Sequence, residues 1–369
     1  MKTCSLMIAC LILIVSCGGN RSAINNPSTV KSNSAVSSVR LDLDEGLMAL
    51  EQGNYRKALE TIKPFAEQGN PTAQYSLGTM YNRGLGVPKD FIKGVNWFRK
   101  AAEQGHAEAQ YKYAFAYQSG LGVKGINTKK AAQWHRKAAE QGHAEAQFAL
   151  GLFLELGIPG VSKNLTEAMQ WYRKAADQGN ASAQFKLGKM YYEGRGVPQD
   201  HAEAIKWFME AGGQGKSEAQ FYVGFMYGSG QGVQKDLTET AKWLRMSAEQ
   251  GYPKAQYGIG LMYIDGLGVP LDTTEAVHWL RYAAEQGEVR AQYALGTLYV
   301  NGEGVPKDYV QAYKWFELCA SRSQGKEHKK SIRNLGIVEK QMTPSQIAEA
   351  KKLAREWRPK TWEDLSRKN

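Results

Sequence analysis

Apolar residues recur at helical spacing along most of this chain. Ala73, Leu77, Met80 and Tyr81 fall on one face of a helix, and Gly84 follows them directly. The run GLGVP then ends the helix, because glycine adopts positive φ readily and proline cannot continue a helix. The pattern therefore predicts an amphipathic helix with a sharp stop.

A second helix is predicted to begin after Asp90, a favourable N-cap residue, and to run through Trp97 to Ala102. An equivalent cap stands seven residues before each later tryptophan of the pattern, at Asn127, Asn164, Asp200, Asp236, Asp272 and Asp308. Those tryptophans are Trp134, Trp171, Trp207, Trp243, Trp279 and Trp315. The chain is therefore predicted to alternate first and second helices, joined as hairpins.

Six earlier segments of the chain closely resemble AQYALGTLYVNGEG, residues 291–304. The spacings between successive starts, counted from Ala73, are 36, 37, 37, 36, 36 and 36 residues. A regular period of this size indicates a stack of supersecondary units. We therefore assign residues 71–323 to seven two-helix repeats. The second and third depart from the pattern, with Ala114 in place of glycine and Leu154 in place of tyrosine.

Both ends are predicted to be capping helices, which a stack of repeats needs. Residues 41–70 contain one helix pair, and residues 324–369 a degenerate second pair with a basic tail. In the latter, Leu335-Gly336 matches the Leu-Gly of a first helix. Thr343, Pro344 and Gln346 then supply an N-cap, a proline at N1 and a capping-box glutamine for a helix over about residues 344–357. The prediction is nine hairpins in all.

The consensus A…LG..Y..G.GV..D...A..W..KAA..G resembles the Sel-like repeat family, a relative of the tetratricopeptide repeats. This resemblance implies an all-α fold in which antiparallel hairpins stack into a right-handed α-solenoid. It also implies that residues 41–70 form a tetratricopeptide-like cap. The expected role is assembly of protein complexes, without catalysis.

The N-terminus has the pattern of a targeting signal. Lys2 precedes an apolar run at residues 6–15 that is too short for a permanent membrane span and has a signal peptide's shape. Residues 14–17, Ile-Val-Ser-Cys, resemble the bacterial lipobox. The resemblance implies that residues 1–16 are removed and that Cys17 is acylated, with ordinary signal cleavage or a retained anchor as alternatives. Several acyl chains would anchor the protein stably to a membrane.

Residues 17–40 are rich in Ser and Asn and contain no aromatic residue, so they are predicted to be a flexible tether. Gly18, rather than an aspartate, follows Cys17. By resemblance to lipoprotein sorting, this favours the periplasmic face of the outer membrane over the inner membrane. The predicted location is therefore the bacterial cell envelope.

The net charge of +11 is unevenly distributed. Residues 1–40 carry four Lys/Arg and no acids, residues 41–321 carry 30 of each sign, and residues 322–369 carry 13 Lys/Arg against 6 acids. A nucleic-acid binder concentrates positive charge on its binding face. Because the repeats are balanced, we expect no nucleic-acid partner.

Candidate catalytic residues have simpler interpretations. Cys319 lies four residues after its tryptophan, where other repeats have alanine or serine, so we predict a small buried residue. His106 and His143 share one register that varies between repeats, and we interpret it as a tolerant loop position. No histidines have the spacing of metal ligands. We therefore expect no metal, no cofactor and no catalytic residue.

Two Ser-x-x-Lys sequences, at residues 28–31 and 323–326, match part of the pattern of penicillin-recognising serine enzymes. The companion Ser-Asp-Asn or Lys-Thr-Gly motif does not occur in the chain. An envelope enzyme or binder acting on peptidoglycan or β-lactams remains the alternative hypothesis.

The remaining candidate is a surface on the first helices. Two rows of residues, three apart on each helix, vary between repeats while the packing residues do not. We predict that these rows line the concave side as a groove for a protein or peptide, formed by Lys112, Phe115, Leu152, Lys186, Lys189, Tyr222, Phe225 and Leu261. The alternative is that tight stacking buries them between repeats. The favoured hypothesis is a membrane-anchored, non-enzymatic scaffold for an envelope protein or peptide.

Overall fold

The computed structural model describes residues 34–367, with side chains from residue 43 onward. The described chain contains 19 α-helices and no strands, which confirms the all-α prediction. It divides into two compact units at residues 187 and 188, inside one helix.

The first unit contains α1 (Ser34–Glu51), α2 (Tyr55–Glu67), α3 (Pro71–Arg83), α4 (Phe91–Glu103), α5 (Ala107–Ser119), α6 (Thr128–Glu140), α7 (Ala144–Leu156) and α8 (Leu165–Asp177). The boundary falls within α9 (Ala181–Glu193). The second unit continues with α10 (His201–Gly213), α11 (Ser217–Ser229), α12 (Leu237–Glu249), α13 (Pro253–Asp265), α14 (Thr273–Glu285), α15 (Val289–Asn301), α16 (Tyr309–Arg322), α17 (Gly325–Glu339), α18 (Pro344–Glu356) and α19 (Trp362–Ser366). The helices from α3 to α16 form the seven predicted repeats.

The helix ends follow the predicted signals. Gly84 adopts φ 75° and its N–H donates to the carbonyl of Met80, which closes α3. The Asp90 carboxylate then accepts from the N–H of Lys93 at 2.9 Å and starts α4. Asp or Asn caps every later second helix of the repeats in the same way. These turns are short, so the two helices of a repeat run antiparallel.

In six of the seven repeats the two helices pack together at a glycine. A Cβ added to the glycine of the Leu-Gly pair would lie only 2.6–3.0 Å from a large side chain of the paired second helix. The glycines are Gly78, Gly151, Gly188, Gly224, Gly260 and Gly296, and their partners are Phe98, Tyr172, Phe208, Leu244, Leu280 and Phe316. The second repeat has Ala114 instead, opposite His135, whose ring is smaller than that of phenylalanine. The helices therefore approach as closely as an absent Cβ allows.

Buried glutamines join consecutive repeats. The Gln74 side chain donates to the carbonyl of Ala66 in the preceding second helix (3.1 Å) and accepts from Gln104 of its own repeat (2.8 Å). The same pair of bonds recurs at Gln110, Gln147, Gln220 and Gln256. At the seventh repeat Arg322 replaces the donor, and the Oε1 atom of Gln292 has no hydrogen bond. Both glutamines repeat visibly in the sequence, but this role was not predicted.

The N-terminal hairpin starts earlier than predicted. Leu43 and Ala49 of α1 pack with Ala58 and Ile62 of α2, and Asn54 caps α2. However, α1 begins at Ser34, so residues 34–40 are helical, whereas we predicted a tether up to residue 40. No glycine or proline lies between Ser34 and Gly46 to interrupt the helix. Adding a residue to a helix that has already formed costs little free energy compared with starting one. The rest of the predicted tether and the signal segment lie outside the described residues.

The C-terminal cap differs from the predicted hairpin. Its final helix has the predicted capping box at Thr343 and Gln346 and spans Pro344–Glu356, close to the predicted bounds. Both α17 and α18 pack on α16, but they have little contact with each other. Gly336, expected to contact a second helix, is exposed. The ninth pair is therefore two separate helices that flank α16.

The basic tail folds back onto earlier repeats. The Trp357 indole N–H donates to the Glu285 carboxylate at 3.1 Å, and the Lys360 ammonium lies 3.0 Å from the same group. The Trp362 ring packs directly on Gly251 and meets the Tyr282 ring edge-to-face at 5.2 Å. Residues 357–366 thus form a C-terminal strap across the second unit. No helix among the described residues has the length and apolarity needed to cross a membrane.

We predict that Gly151→Ala destabilises the first unit. The new Cβ would lie 2.6 Å from the Tyr172 ring, which cannot withdraw because its hydroxyl donates to Glu155 at 2.7 Å. Overpacking of this kind costs about 1–3 kcal/mol. The measurement is the urea midpoint of unfolding.

Gly213→Ala is the matched control, since a Cβ there has no neighbour within 4 Å. It should keep or slightly raise stability, because alanine favours helix over glycine. Equal stability of the two variants would contradict the glycine-contact argument.

Candidate functional site

The predicted groove residues of the first unit are mostly occupied in packing. Lys112 places its ammonium 5.2 Å from the centre of the Tyr111 ring, and Phe115 is half-buried. Leu152 is only 6% exposed, so its assignment to an exposed groove was wrong. It belongs to a run of ten buried residues in α7, Ala146–Glu155, where stacking covers all sides of the helix.

The predicted lysines are paired. Lys186 lies 2.9 Å from the carboxylate of Glu155, whose side chain is 7% exposed and also accepts from the Tyr172 hydroxyl. A buried carboxylate needs such partners, so Lys186 serves the scaffold. In the second unit, Lys189 pairs with Glu193 one turn later at 3.1 Å. Neither lysine is an uncompensated charge offered to a partner.

The second unit carries the exposed part of the predicted groove. Phe225 is 44% exposed and is the single exposed phenylalanine of the described chain. Its ring stacks at 6.4 Å on half-buried Phe221, which contacts Tyr252 at 5.4 Å. Leu261, half-buried, occupies the same register on the next first helix. We call Phe221, Phe225 and Leu261 the Phe225 surface.

Tyr222, also predicted to contact a partner, supports this surface by packing against Phe221. Its ring stacks on Phe208 at 4.8 Å and 17°, and it meets Tyr192 at 5.7 Å. Burial, with smaller contributions from nearby carboxylates such as Glu218, raises the pKa of Tyr252 to about 12. The Tyr252 hydroxyl is therefore neutral at physiological pH. Aromatic rings that pack against each other support the Phe225 surface.

Charged residues flank this surface on the following first helices. The Arg290 guanidinium lies 4.9 Å from the centre of the Tyr257 ring and pairs with Glu288 at 3.2 Å. Lys254 is exposed at the equivalent position one repeat earlier. The surroundings of the Phe225 surface are therefore polar and of mixed sign, as at the rim of a protein interface.

Two open clefts lie on the first unit, and none of the predicted groove residues lines them. One, of about 630 Å³, is lined mainly by α6 residues, namely Lys129, Ala132, Gln133, Trp134, Arg136, Lys137 and Glu140. Arg136 pairs there with Glu167 at 2.8 Å. The other, of about 390 Å³, contains Tyr113, Tyr117, Lys124 and Lys130, with the two tyrosine hydroxyls hydrogen-bonded at 3.0 Å. Neither cleft brings together an acid, a base and a nucleophile.

The histidines act in the scaffold. Contrary to the loop interpretation, His106 and His143 are N-caps, whose Nδ1 atoms accept from Ala109 and Ala146 N–H at 3.2 Å. Asn180 does the same in the fourth repeat. Burial lowers the pKa of His106, which agrees with a neutral imidazole that accepts at Nδ1. The register is a helix-capping position.

The cysteine and serine candidates also have structural roles. Cys319 is completely buried, as predicted, and burial raises the pKa of its thiol. The Ser323 hydroxyl donates to the Cys319 carbonyl at 2.6 Å and so ends α16. Within the described residues, no three His, Cys, Asp or Glu side chains converge as a metal site. Residues 28–31 and Cys17 lie outside the described part.

Stacked antiparallel hairpins with variable surface residues define an α-helical repeat scaffold. The Sel1 repeat profile matches seven consecutive segments, residues 71–106, 107–143, 144–180, 181–215, 217–252, 253–288 and 289–323. The chain therefore belongs to the Sel1 repeat family. Sel1 repeat proteins are generally scaffolds for protein interactions, and the fold is generally not enzymatic.

Two solved structures of repeat proteins are similar to the chain. A Sel1 repeat protein from Oxalobacter formigenes is 34% identical, with a TM-score of 0.59 over 66% of this chain and 96% of its own. The protective antigen c5321 of uropathogenic Escherichia coli, described as having an SLR fold, is 29% identical over 91% of this chain and 88% of its own, with a TM-score of 0.45. No curated protein is significantly similar to the chain.

We predict that His135 makes stability depend on pH. This residue is 1% exposed, with Nε2 3.3 Å from Gln118 Oε1, and burial lowers its pKa to about 3. The unfolded chain binds a proton near pH 6.5 and the folded chain does not, so the stabilisation is complete above pH 6.5 and falls below it. Between pH 6.5 and 5 the loss is about 2 kcal/mol.

The comparison is His135→Phe combined with Ala114→Gly, which restores the pair found in the first repeat. Urea unfolding at pH 7 and pH 5 should show a smaller pH effect in this double variant. The same pH effect in both proteins would contradict burial of a neutral imidazole.

Proposed function

We propose that this chain is a membrane-anchored scaffold that binds a protein or peptide through the Phe225 surface of its second unit. The observation that carries the proposal is the 44% exposure of Phe225, at a register where the repeats do not share a residue. Every other phenylalanine and tryptophan with described side chains is at least half-buried. An aromatic side chain left exposed over supporting rings is typical of an interface anchor.

The energetics favour recognition by this surface. Complete burial of a phenylalanine side chain contributes about 1.5–3 kcal/mol. Phe221 and Tyr222 hold the neighbouring rings in place, so few rotamers remain to be ordered on binding. The mixed charges of Lys254, Glu288 and Arg290 would align the partner rather than supply most of the affinity. An extended or helical segment with apolar anchors fits this surface.

Membrane anchoring is the second part of the proposal and rests on the sequence alone. The lipobox-like residues 14–17 place Cys17 directly after an apolar segment. Acylation there would hold the repeats at the periplasmic face of the outer membrane, where the partner is an envelope protein or peptide. Anchoring raises the effective concentration of the scaffold toward partners on the same membrane.

We predict that Phe225→Ser reduces partner recovery at least about tenfold, because losing one buried aromatic anchor costs 1.4 kcal/mol or more. The measurement is crosslinking in the native envelope followed by quantitative mass spectrometry of the main partner. Ile92→Ser is the control, since Ile92 is 65% exposed on a second helix of the first unit. Unchanged recovery with Phe225→Ser, at normal helical content, would refute the Phe225 surface.

We predict that Cys17→Ser abolishes incorporation of labelled palmitate and moves the protein from the membrane fraction to the soluble fraction. Without acyl chains, no lipid remains to insert into the bilayer. Cys10→Ser provides a matched control, because Cys10 lies in the segment expected to be removed. Membrane retention of an unlabelled Cys17→Ser protein would contradict lipid anchoring at this residue.

A further inference from the structure

The helix α17 has the register of a first helix. Its residues Ser331, Leu335 and Val338 are buried on α16, as Ala73, Leu77 and Met80 are buried on the second helix that precedes them. In this alignment Gly336 corresponds to Gly78, and Ile332 to Gln74. The helix α17 thus begins an eighth repeat.

The second helix of that repeat is missing from its expected place. In the repeats, each Leu-Gly glycine is covered by a large side chain of the paired helix, whereas a Cβ at Gly336 would have no neighbour within 4 Å. Ile332 is 49% exposed, although the glutamines at its register are at most 4% exposed. The helix that follows, α18, packs instead on α16 and leads into the C-terminal strap. The face that a second helix covers elsewhere is open on α17.

The open face is apolar at its centre and basic beside it. Ile332 and Gly336 lie next to Lys329, Arg333 and Lys340 at helical spacing. In the described chain these three basic residues are exposed and form no ion pair. The carboxylate of Glu339, on the same helix, already accepts from the Tyr313 hydroxyl at 3.0 Å and pairs with Lys351 at 3.6 Å.

We propose that an acidic amphipathic helix of another protein completes this eighth repeat by packing on Ile332 and Gly336. A phenylalanine, tyrosine or leucine of that helix would sit on Gly336, as Phe98 sits on Gly78. Acidic residues along its edges would face Lys329, Arg333 and Lys340. A second copy of this chain is disfavoured as the occupant, because two basic faces would repel each other.

This site is separate from the Phe225 surface and does not depend on it. The helix-in-groove mode uses apolar anchors one turn apart, and glycine permits the backbones to approach closely. The repeats supply the template, since seven second helices of this chain already pack in this way. The surplus of Lys and Arg after residue 322 then has a local purpose, which is to select an acidic helix.

A peptide from the chain itself provides the probe. Residues 199–215 include α10, carry a surplus of acidic residues and contain Phe208, the partner of Gly188. A lactam between the exposed side chains of Lys206 and Glu210 would hold the isolated peptide helical. Fluorescence anisotropy with the full-length protein should give saturable binding, with a Kd of roughly 100 µM or below.

Gly336→Leu should weaken this binding at least about tenfold, because the leucine side chain would occupy the space that Phe208 of the peptide fills. Lys329→Glu with Arg333→Glu should also weaken binding, and added salt should do the same to the wild type. Ala348→Leu adds the same side chain at an exposed position of α18 and should leave binding unchanged. Phe225→Ser should also leave it unchanged, which separates this test from that of the proposed function.

Absence of binding at 1 mM peptide, or equal affinity for Gly336→Leu, would overturn the proposal. Two further results would show that something other than an acidic helix binds this face. A concentration-dependent dimer that Gly336→Leu abolishes would assign the face to a second copy. Binding to phosphatidylglycerol vesicles that needs Lys329 and Arg333 but tolerates Gly336→Leu would assign it to an anionic membrane.

Discussion

The contact between a first-helix glycine and a large side chain of the second helix sets the geometry of every repeat that has it. Because no Cβ separates them, Phe98 reaches the backbone of α3 at Gly78. The same first helix carries Gln74, which accepts from Gln104 at 2.8 Å and donates to the carbonyl of Ala66 in the preceding helix. Close packing within a hairpin and hydrogen bonding to the preceding hairpin thus meet on one helix.

Much of this fold could be predicted from the sequence, because its determinants are local. The N-cap at Asp90, the positive-φ glycine at position 84 and the capping box at Thr343 each act within a few residues. The arrangement of α17 and α18 could not be predicted in the same way. Leu335 and Gly336 match the repeat, but whether a helix covers them depends on where α18 finds its best packing surface, and that surface lies on α16.

The candidate site was harder to predict than the scaffold. Variation between repeats predicts exposure correctly for Phe225 but wrongly for Leu152. Lys186 explains why the criterion is incomplete. It pairs with Glu155 of the preceding repeat, so two residues that vary between repeats compensate each other inside the scaffold. Variation between repeats therefore signals either a partner outside the protein or a partner in the next repeat.

The C-terminal strap changes how the second unit can come apart. A stack of repeats has contacts only between neighbours, so it can lose units one at a time from an end. The bond from Trp357 to Glu285 spans 72 positions in the chain, and Trp362 reaches Gly251 farther back. The last repeat cannot detach unless these contacts also break. The strap therefore converts an array that could fray from its end into a closed loop that opens cooperatively.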